Sequence, residues 1–216
     1  MKAYQSEFLD VAIASKALRF GEFTLKSGRA SPYFFNTGLF NTGTLLGQLG
    51  RFYALTILDW GVQVDGLFGP SYKGIPLACA TAIALSDLTE RSVPYSFNRK
   101  EIKAHGEGGR VVGAPLEGAI MIVDDVISSG LSISESVSII RESGAEPRAA
   151  LVALDRQERG EQSDQSAIDE TRTRHGLEVR AIVTLADVLG YLERHPTLDA
   201  HTKSIRTYLH RYGTSA

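Results

Sequence analysis

AIMIVDDVISSGLS, residues 119–132, decides the fold of this chain. The apolar run 119–123 reads as a buried strand, and it ends in two adjacent carboxylates, Asp124 and Asp125. A short Ser/Gly loop follows and runs into SISESVSIIRESGAEP, residues 132–147. There Ile133, Val137 and Ile140 recur at helical spacing, and Gly144 offers a stop. Strand, tight loop and helix N-terminus in that order make an anion site, because free backbone N–H groups and the positive end of the helix dipole converge. Asp and Ser are also common helix caps. Two consecutive acids after a wholly apolar strand are more than capping requires. Acids beside an anion cradle make sense if acceptors are needed there, for sugar hydroxyls or a hydrated divalent cation. The combination points to a phosphorylated sugar.

Working outward, strand and helix signals alternate. The start reads as an amphipathic helix with Phe8, Leu9, Ala12, Ile13 and Ala17 along one stripe. Short β-prone pieces, FTL and PYFF, are split by the turn-like KSGRAS. Next come a helix over TLLGQLGRFYALTILDWG, a strand VDGLF, a loop GPSYKGI and a helix PLACATAIALSDL, where Pro76 suits a first turn. VPYSFN reads as a strand, followed by a Gly-rich charged stretch. Past the opening motif come a strand AALVALD, a polar stretch 157–172 read as an exposed loop and helix, a strand in LEVRAIVTL, and two closing helices. This alternation predicts an α/β fold with a central parallel sheet flanked by helices on both faces. Ligands of such sheets gather beyond the carboxyl ends of the strands.

The 216 residues fit one domain, and a hydrophobic fraction of 43% is ordinary for a globular protein. A formal charge of −2 argues against a nucleic-acid binder. No stretch approaches the ~20 apolar residues of a membrane span, and MKAYQSEFLD lacks a signal-peptide core. The cytoplasm is therefore the expected location. The single cysteine, Cys79, excludes an intrachain disulfide and reads as a small core residue.

Three further stretches could carry chemistry. GPSYKGIP, residues 69–76, brackets Lys73 with two glycines between a strand and a helix, so backbone and a point charge can both approach an anion. It is not a Walker loop, whose spacing is absent. NRKEIKAHGEGGRVVG, residues 98–113, packs Arg99, Lys100, Lys103 and His105 ahead of Gly106, Gly108 and Gly109. A long loop without structure of its own, rich in cations and glycines, suits a lid over a highly charged leaving group. Arg156 follows the strand AALVALD, where an anionic substrate group would accept a bidentate partner. Phe34 and Phe35 read as core, Lys26 as a solvated turn lysine, and the five histidines show no metal-binding spacing.

Together these pieces resemble the type I phosphoribosyltransferases, and within them the branch that acts on orotate. The resemblance runs from about Leu18 to Leu192 through FTLKSGRASPYFFN, FGPSYKGIP, FNRKEIKAHGEGG, IVDDVISSG and LDRQERG. It implies the type I phosphoribosyltransferase fold as a single domain over 1–216, with a small N-terminal hood from about 1–40 and a mobile lid over about 99–113. It also implies the reaction: Mg²⁺-dependent transfer of ribose 5-phosphate from 5-phosphoribosyl 1-pyrophosphate (PRPP) to orotate, giving orotidine 5′-monophosphate in pyrimidine biosynthesis. Residue by residue, Lys26, Tyr72 and Lys73 would contact the donor, while Arg99, Lys100, Lys103 and His105 would meet its pyrophosphate. Asp124 and Asp125 would face the ribose hydroxyls, near a Mg²⁺ bound through PRPP with no direct ligand from the protein. Val126 and Ile127 would also bind PRPP, and Ser128, Ser129, Gly130, Leu131 and Ser132 would wrap its 5′-phosphate. Phe34, Phe35, Ser128 and Arg156 would meet orotate. Lys103, His105, Asp124 and Asp125 would be the catalytic set, and the lid would act across a homodimer interface.

One departure stands out. The family usually writes the phosphate loop as DDV-x-TAGTA, with hydroxyls at the positions of Ser128 and Leu131. Leu131 cannot donate, whereas Ser129 and Ser132 add hydroxyls where alanine is usual. Two other readings fit less. A nicotinamide-dependent dehydrogenase would need a G-x-G-x-x-G loop after its first strand. A donor-sensing regulator would need a nucleic-acid surface that the near-neutral charge does not supply.

Overall fold

The structure, a computed structural model, describes residues 1–25, 28–103, 109–160 and 164–214. In chain order it runs α1 (Ala3–Ala14), β1 (Leu18–Thr24), β2 (Ala30–Phe35), α2 (Gly43–Trp60), β3 (Gly66–Gly69), α3 (Gly74–Thr89), β4 (Tyr95–Lys103) and β5 (Gly109–Gly113). It continues with β6 (Ala119–Val123), α4 (Leu131–Glu142), β7 (Glu146–Asp155), α5 (Ala167–His175), β8 (Glu178–Thr184), α6 (Leu185–Leu192) and α7 (Thr202–Tyr212). Six strands form one sheet in the order β5-β4-β3-β6-β7-β8. All its pairings are parallel except β4 with β5, which is antiparallel.

Side-chain alternation divides the core in two. On one sheet face, Leu67, Met121, Val123, Ala149 and Leu151 pack with α1, α2, α3, α6 and α7. On the other, Phe68, Ile120, Ile122, Ala150 and Val152 pack with Ile133, Val137 and Ile140 of α4 and Ile168 of α5. A strand covered on both faces has no polar side, so every residue of β6 is apolar and buried. Register keeps this arrangement, since a one-residue slip would exchange the two cores. Helix ends follow local chemistry: Thr42 caps α2 through its hydroxyl, and Gly61 closes it at φ 73°.

β1 and β2 form a separate antiparallel hairpin. α1 lies nearby, and its Phe8 meets Phe52 edge-on at 5.6 Å between ring centroids. This hairpin and helix occupy the chain segment expected to form a hood.

Three expectations need correction. Residues 98–103 and 109–113 are strand rather than loop, and 104–108 lie outside the described residues. β4 continues to Lys103 and pairs with β5 from Gly109, with Asn98 opposite Val111 and Lys103 opposite Gly109. β5 is an edge strand of the sheet, where charged residues are normal and apolar periodicity fades. Cys79 is half-buried rather than core, and sits against Tyr95. The stretch 157–172 is not simply exposed, because residues 156–160 are part of a cleft wall. Among the described residues, no helix is long and apolar enough to cross a membrane.

Candidate active site

The parallel strands β3, β6 and β7 open their carboxyl ends into one cleft of about 960 Å³. Three strand-to-loop turns supply its floor: 70–73 after β3, 124–129 after β6 and 154–160 after β7. The two phosphate-type loops picked out in the sequence therefore do meet at one sheet edge.

The turn after β6 is fixed from below. The Asp124 N–H donates to the Leu151 carbonyl at 3.1 Å, and the Ala153 N–H donates to the Asp125 carbonyl at 2.9 Å. The buried Tyr53 hydroxyl donates to the Asp124 carbonyl at 2.7 Å. Tyr53 pairs only through its own proton, and burial holds its phenol well above the ordinary range. At the side chains, Asp124 Oδ1 accepts the Asp125 N–H at 2.9 Å and Oδ2 accepts the Ser132 hydroxyl at 2.9 Å. Asp125 Oδ1 accepts the Val126 N–H at 2.7 Å. Burial, and next the charge of Asp125, push the Asp124 carboxyl up to about 6.

Past the acids, Gly130 is the N-cap of α4 at φ 70°, a conformation that suits glycine, and no side chain caps the helix. No side chain caps the first N–H groups of α4, an arrangement that suits an anion. Ser128, Ser129 and Ser132 line the cleft, whereas Leu131 is 72% exposed.

The turn after β3 requires two glycines for close packing. A Cβ on Gly69 would collide with the Gly74 carbonyl, and one on Gly74 would stand 2.9 Å from the Val123 carbonyl oxygen. The backbone of β6 and the start of α3 can touch only without those side chains. The buried Asn98 of β4 accepts the Ser71 N–H at 2.8 Å, which holds the turn from the other side. Lys73, at the N-cap of α3, reaches across the cleft floor to Asp125 Oδ2 at 2.6 Å. Tyr72 is exposed, and the Lys100 ammonium lies 4.6 Å from its ring centroid.

The third wall joins the hairpin to the loop after β7. Strand alternation separates the two phenylalanines: Phe34 lines the cleft, while Phe35 turns to the core and lies 6.3 Å from Phe8. Of the two phenylalanines expected at the base, only the Phe34 side chain lines the cleft among the described residues, and Phe35 adjoins it in the chain. Arg156 lines the cleft too, with one guanidinium edge on Glu158 and its plane 5.2 Å from the Tyr33 centroid.

Of the other expected residues, Val126, Ile127 and Tyr72 lie on the cleft wall. Arg99 and Lys100 belong to β4. Lys26 and His105 lie outside the described residues, and Lys103 is described in backbone only, as the last residue of β4. Sequence reasoning missed Glu158, Arg29 and Tyr33. The alternating charges of RQERG at a strand's carboxyl end were the available signal for Glu158; nothing local marked Arg29 or Tyr33.

No family model matches the chain. A curated orotate phosphoribosyltransferase of Yersinia pestis (strain Pestoides F) is 55% identical over 215 residues, covering 100% of each chain. The crystal structure of orotate phosphoribosyltransferase from Francisella tularensis superposes with a TM-score of 0.86 at 36% identity, covering 96% of this chain and 99% of that one. The Mycobacterium tuberculosis orotate phosphoribosyltransferase in complex with PRPP shares the fold, with a TM-score of 0.63 at 20% identity over 85% of this chain and 98% of that one.

Proposed function

This chain belongs to the orotate phosphoribosyltransferase family, and we propose that the cleft at the ends of β3, β6 and β7 carries out that family's reaction. Ribose 5-phosphate passes from PRPP to orotate, giving orotidine 5′-monophosphate and pyrophosphate. The observation that carries this reading is the meeting of two strand-to-helix turns, joined by Lys73 and Asp125, beside two adjacent carboxylates.

In this reading the uncapped start of α4, with Ser128, Ser129 and Ser132, receives the 5′-phosphate. Asp124 and Asp125 accept the ribose hydroxyls. Their hard oxygen donors also fit Mg²⁺, which takes one or two carboxylates and completes its shell with water and substrate phosphates. When bound, Mg²⁺ would supply neutralisation of charge on the pyrophosphate. Lys73, Tyr72, Arg99, Lys100, Lys103, Lys26 and His105 are the donor and pyrophosphate side. Phe34 and Arg156 face the base, Arg156 toward its carboxylate.

The anomeric carbon passes through an oxocarbenium-like state, as in glycoside hydrolysis. Little covalent work falls to side chains, so catalysis is mostly positioning and charge stabilisation. Asp124 and Asp125 place negative charge beside the developing cation, and the lid cations meet the departing pyrophosphate. The hairpin of β4 and β5 supports the lid, which works across a homodimer. Ile83, 64% exposed and one turn from Cys79, and the exposed Tyr95 against Cys79 offer an apolar patch for such pairing. The enzyme would work in the cytoplasm.

An absorbance assay of orotate consumption with PRPP and Mg²⁺ tests the reading. Consumption that requires both is expected, and consumption of another base in place of orotate would overturn it.

A further inference from the structure

Glu158 is an enclosed carboxylate on the cleft wall. Its Oε1 accepts Arg156 Nε at 2.9 Å, Arg156 Nη2 at 2.7 Å and the Tyr33 hydroxyl at 3.1 Å. Its Oε2 accepts Arg29 Nη1 at 3.3 Å. The side chain is 13% exposed, and a carboxylate so enclosed is stable only because both oxygens have donors. The pairing uses one edge of the Arg156 guanidinium. One hydrogen of Nη1 and one of Nη2 point along the second edge of the fork, and the Tyr208 hydroxyl also stands against Arg156 and Glu158.

The backbone carrying this pair is tied down on both sides. The Gln157 N–H donates to Asp155 Oδ1 at 2.8 Å, and Gln157 Oε1 accepts the Ala186 N–H at 2.9 Å. The Thr214 N–H donates to the Gln157 carbonyl at 2.9 Å, and the Arg159 N–H donates to the Tyr212 carbonyl at 2.8 Å. Arg156 and Glu158 therefore stand on a rigid segment, two residues apart. With Arg29 the group has two guanidinium charges and one carboxylate, a net single positive charge facing the cleft. That balance matches a ligand with one carboxylate.

We infer that Glu158 is a positioning residue for base recognition: it holds one edge of Arg156 so that the other edge is presented to the substrate carboxylate. This rests on the reading that Arg156 faces the base carboxylate. Arg156 unsupported would be free to swing toward solvent, and its bidentate geometry would be lost.

Steady-state kinetics with each substrate varied tests this in four variants, with thermal melts to check folding. Glu158→Ala should raise the orotate KM about 10–100-fold, the scale of one charge-assisted contact, and leave the PRPP KM unmoved. Glu158→Gln should restore most of the loss, because its amide oxygen still accepts the Arg156 edge. In an Arg156→Ala background, Glu158→Ala should add nothing. If Glu158→Ala does not fold, Glu158→Asp takes its place: the charge stays, the reach is lost, and the orotate KM should still rise. A fall in orotate KM would mean that Glu158 competes with substrate, and equal rises in both KM values would mean a structural role. Either result overturns the proposal. If Arg156→Ala itself leaves the orotate KM unchanged, the base-site reading of Arg156 fails. If Arg156→Ala raises it and Glu158→Ala does not, only the role of Glu158 fails.

Discussion

Lys73 Nζ lies 2.6 Å from Asp125 Oδ2, so the turn after β3 and the turn after β6 are joined by a single ion pair across the cleft floor. The Lys73 side chain is 54% exposed, and pairs of that kind contribute about 0–1 kcal/mol to stability. Its value is then in the site rather than in the fold. In the proposed reading, a pyrophosphate arriving at the cleft would offer Lys73 a second acceptor and release Asp125 toward ribose.

Lys73→Ala should accordingly lower kcat/KM for PRPP by about 10²-fold, the scale for one electrostatic stabiliser. Its melting temperature should stay close to that of the parent. Kinetics and thermal unfolding on the same preparation check both halves. Unchanged kinetics with a large loss of stability would make the pair a structural tie instead.

Asp124 leads to a pH prediction whose sign follows from burial. Its carboxyl moves from the usual 3.8 up to about 6 in the folded protein, chiefly because burial disfavours the charged form. A carboxyl with a raised folded value favours the folded state fully below about pH 4, and that contribution is lost as pH rises through 6. The shift corresponds to about 3 kcal/mol of lost stability above pH 6. Asp124→Asn removes the charge, at a cost of about 1 kcal/mol for turning an amide N–H toward a donor. The variant should be about 1–2 kcal/mol more stable than the parent at pH 8, with an advantage that shrinks between pH 6 and 4. It should also lose activity. Denaturant melts at pH 4, 6 and 8 measure the trend, and a constant difference across pH would count against it.

Much of this was legible in the chain because strong periodicity and sharp punctuation coincide. The all-apolar AIMIV, stopped at once by a turn, is a strand covered on both faces, and Ile133, Val137 and Ile140 leave one helix face apolar. Residues 99–103 and 109–113 were illegible for the opposite reason. β5 is a short edge strand flanked by glycines, GRVVG, and the charged run RKEIK that precedes it has no period-2 apolar signal. The separation of Phe34 from Phe35 follows from strand geometry, but choosing which faces the cleft required knowing that Phe8 stands behind β2. The network of Arg29, Tyr33 and Glu158 joins residues about 130 positions apart, and no local pattern announces such a meeting.

Leu131 is the first residue of α4, beside an N-terminus that no side chain caps. It is 72% exposed, so replacing it loses little packing. Leu131→Thr would place a hydroxyl where the family usually has one, and PRPP should bind up to about 10-fold tighter, as one added bond to an anion allows. Calorimetric titration with PRPP measures this. An unchanged Kd would mean that the hydroxyls of Ser129 and Ser132 already do the same work.

Lys103 closes β4 opposite Gly109 of β5, at the tip of the described hairpin. In the proposed reading, Lys103 would meet charge that grows only as the pyrophosphate departs, and its interaction would strengthen in the transition state more than in the ground state. Lys103→Ala should therefore lower kcat by about 10²–10³-fold while PRPP Kd changes only modestly. Single-turnover measurements at saturating PRPP, paired with a binding titration, separate the two effects. If turnover stays near the parent's, the leaving-group role belongs to another cation; if Kd rises in step with the loss of rate, Lys103 binds the donor without favouring its departure.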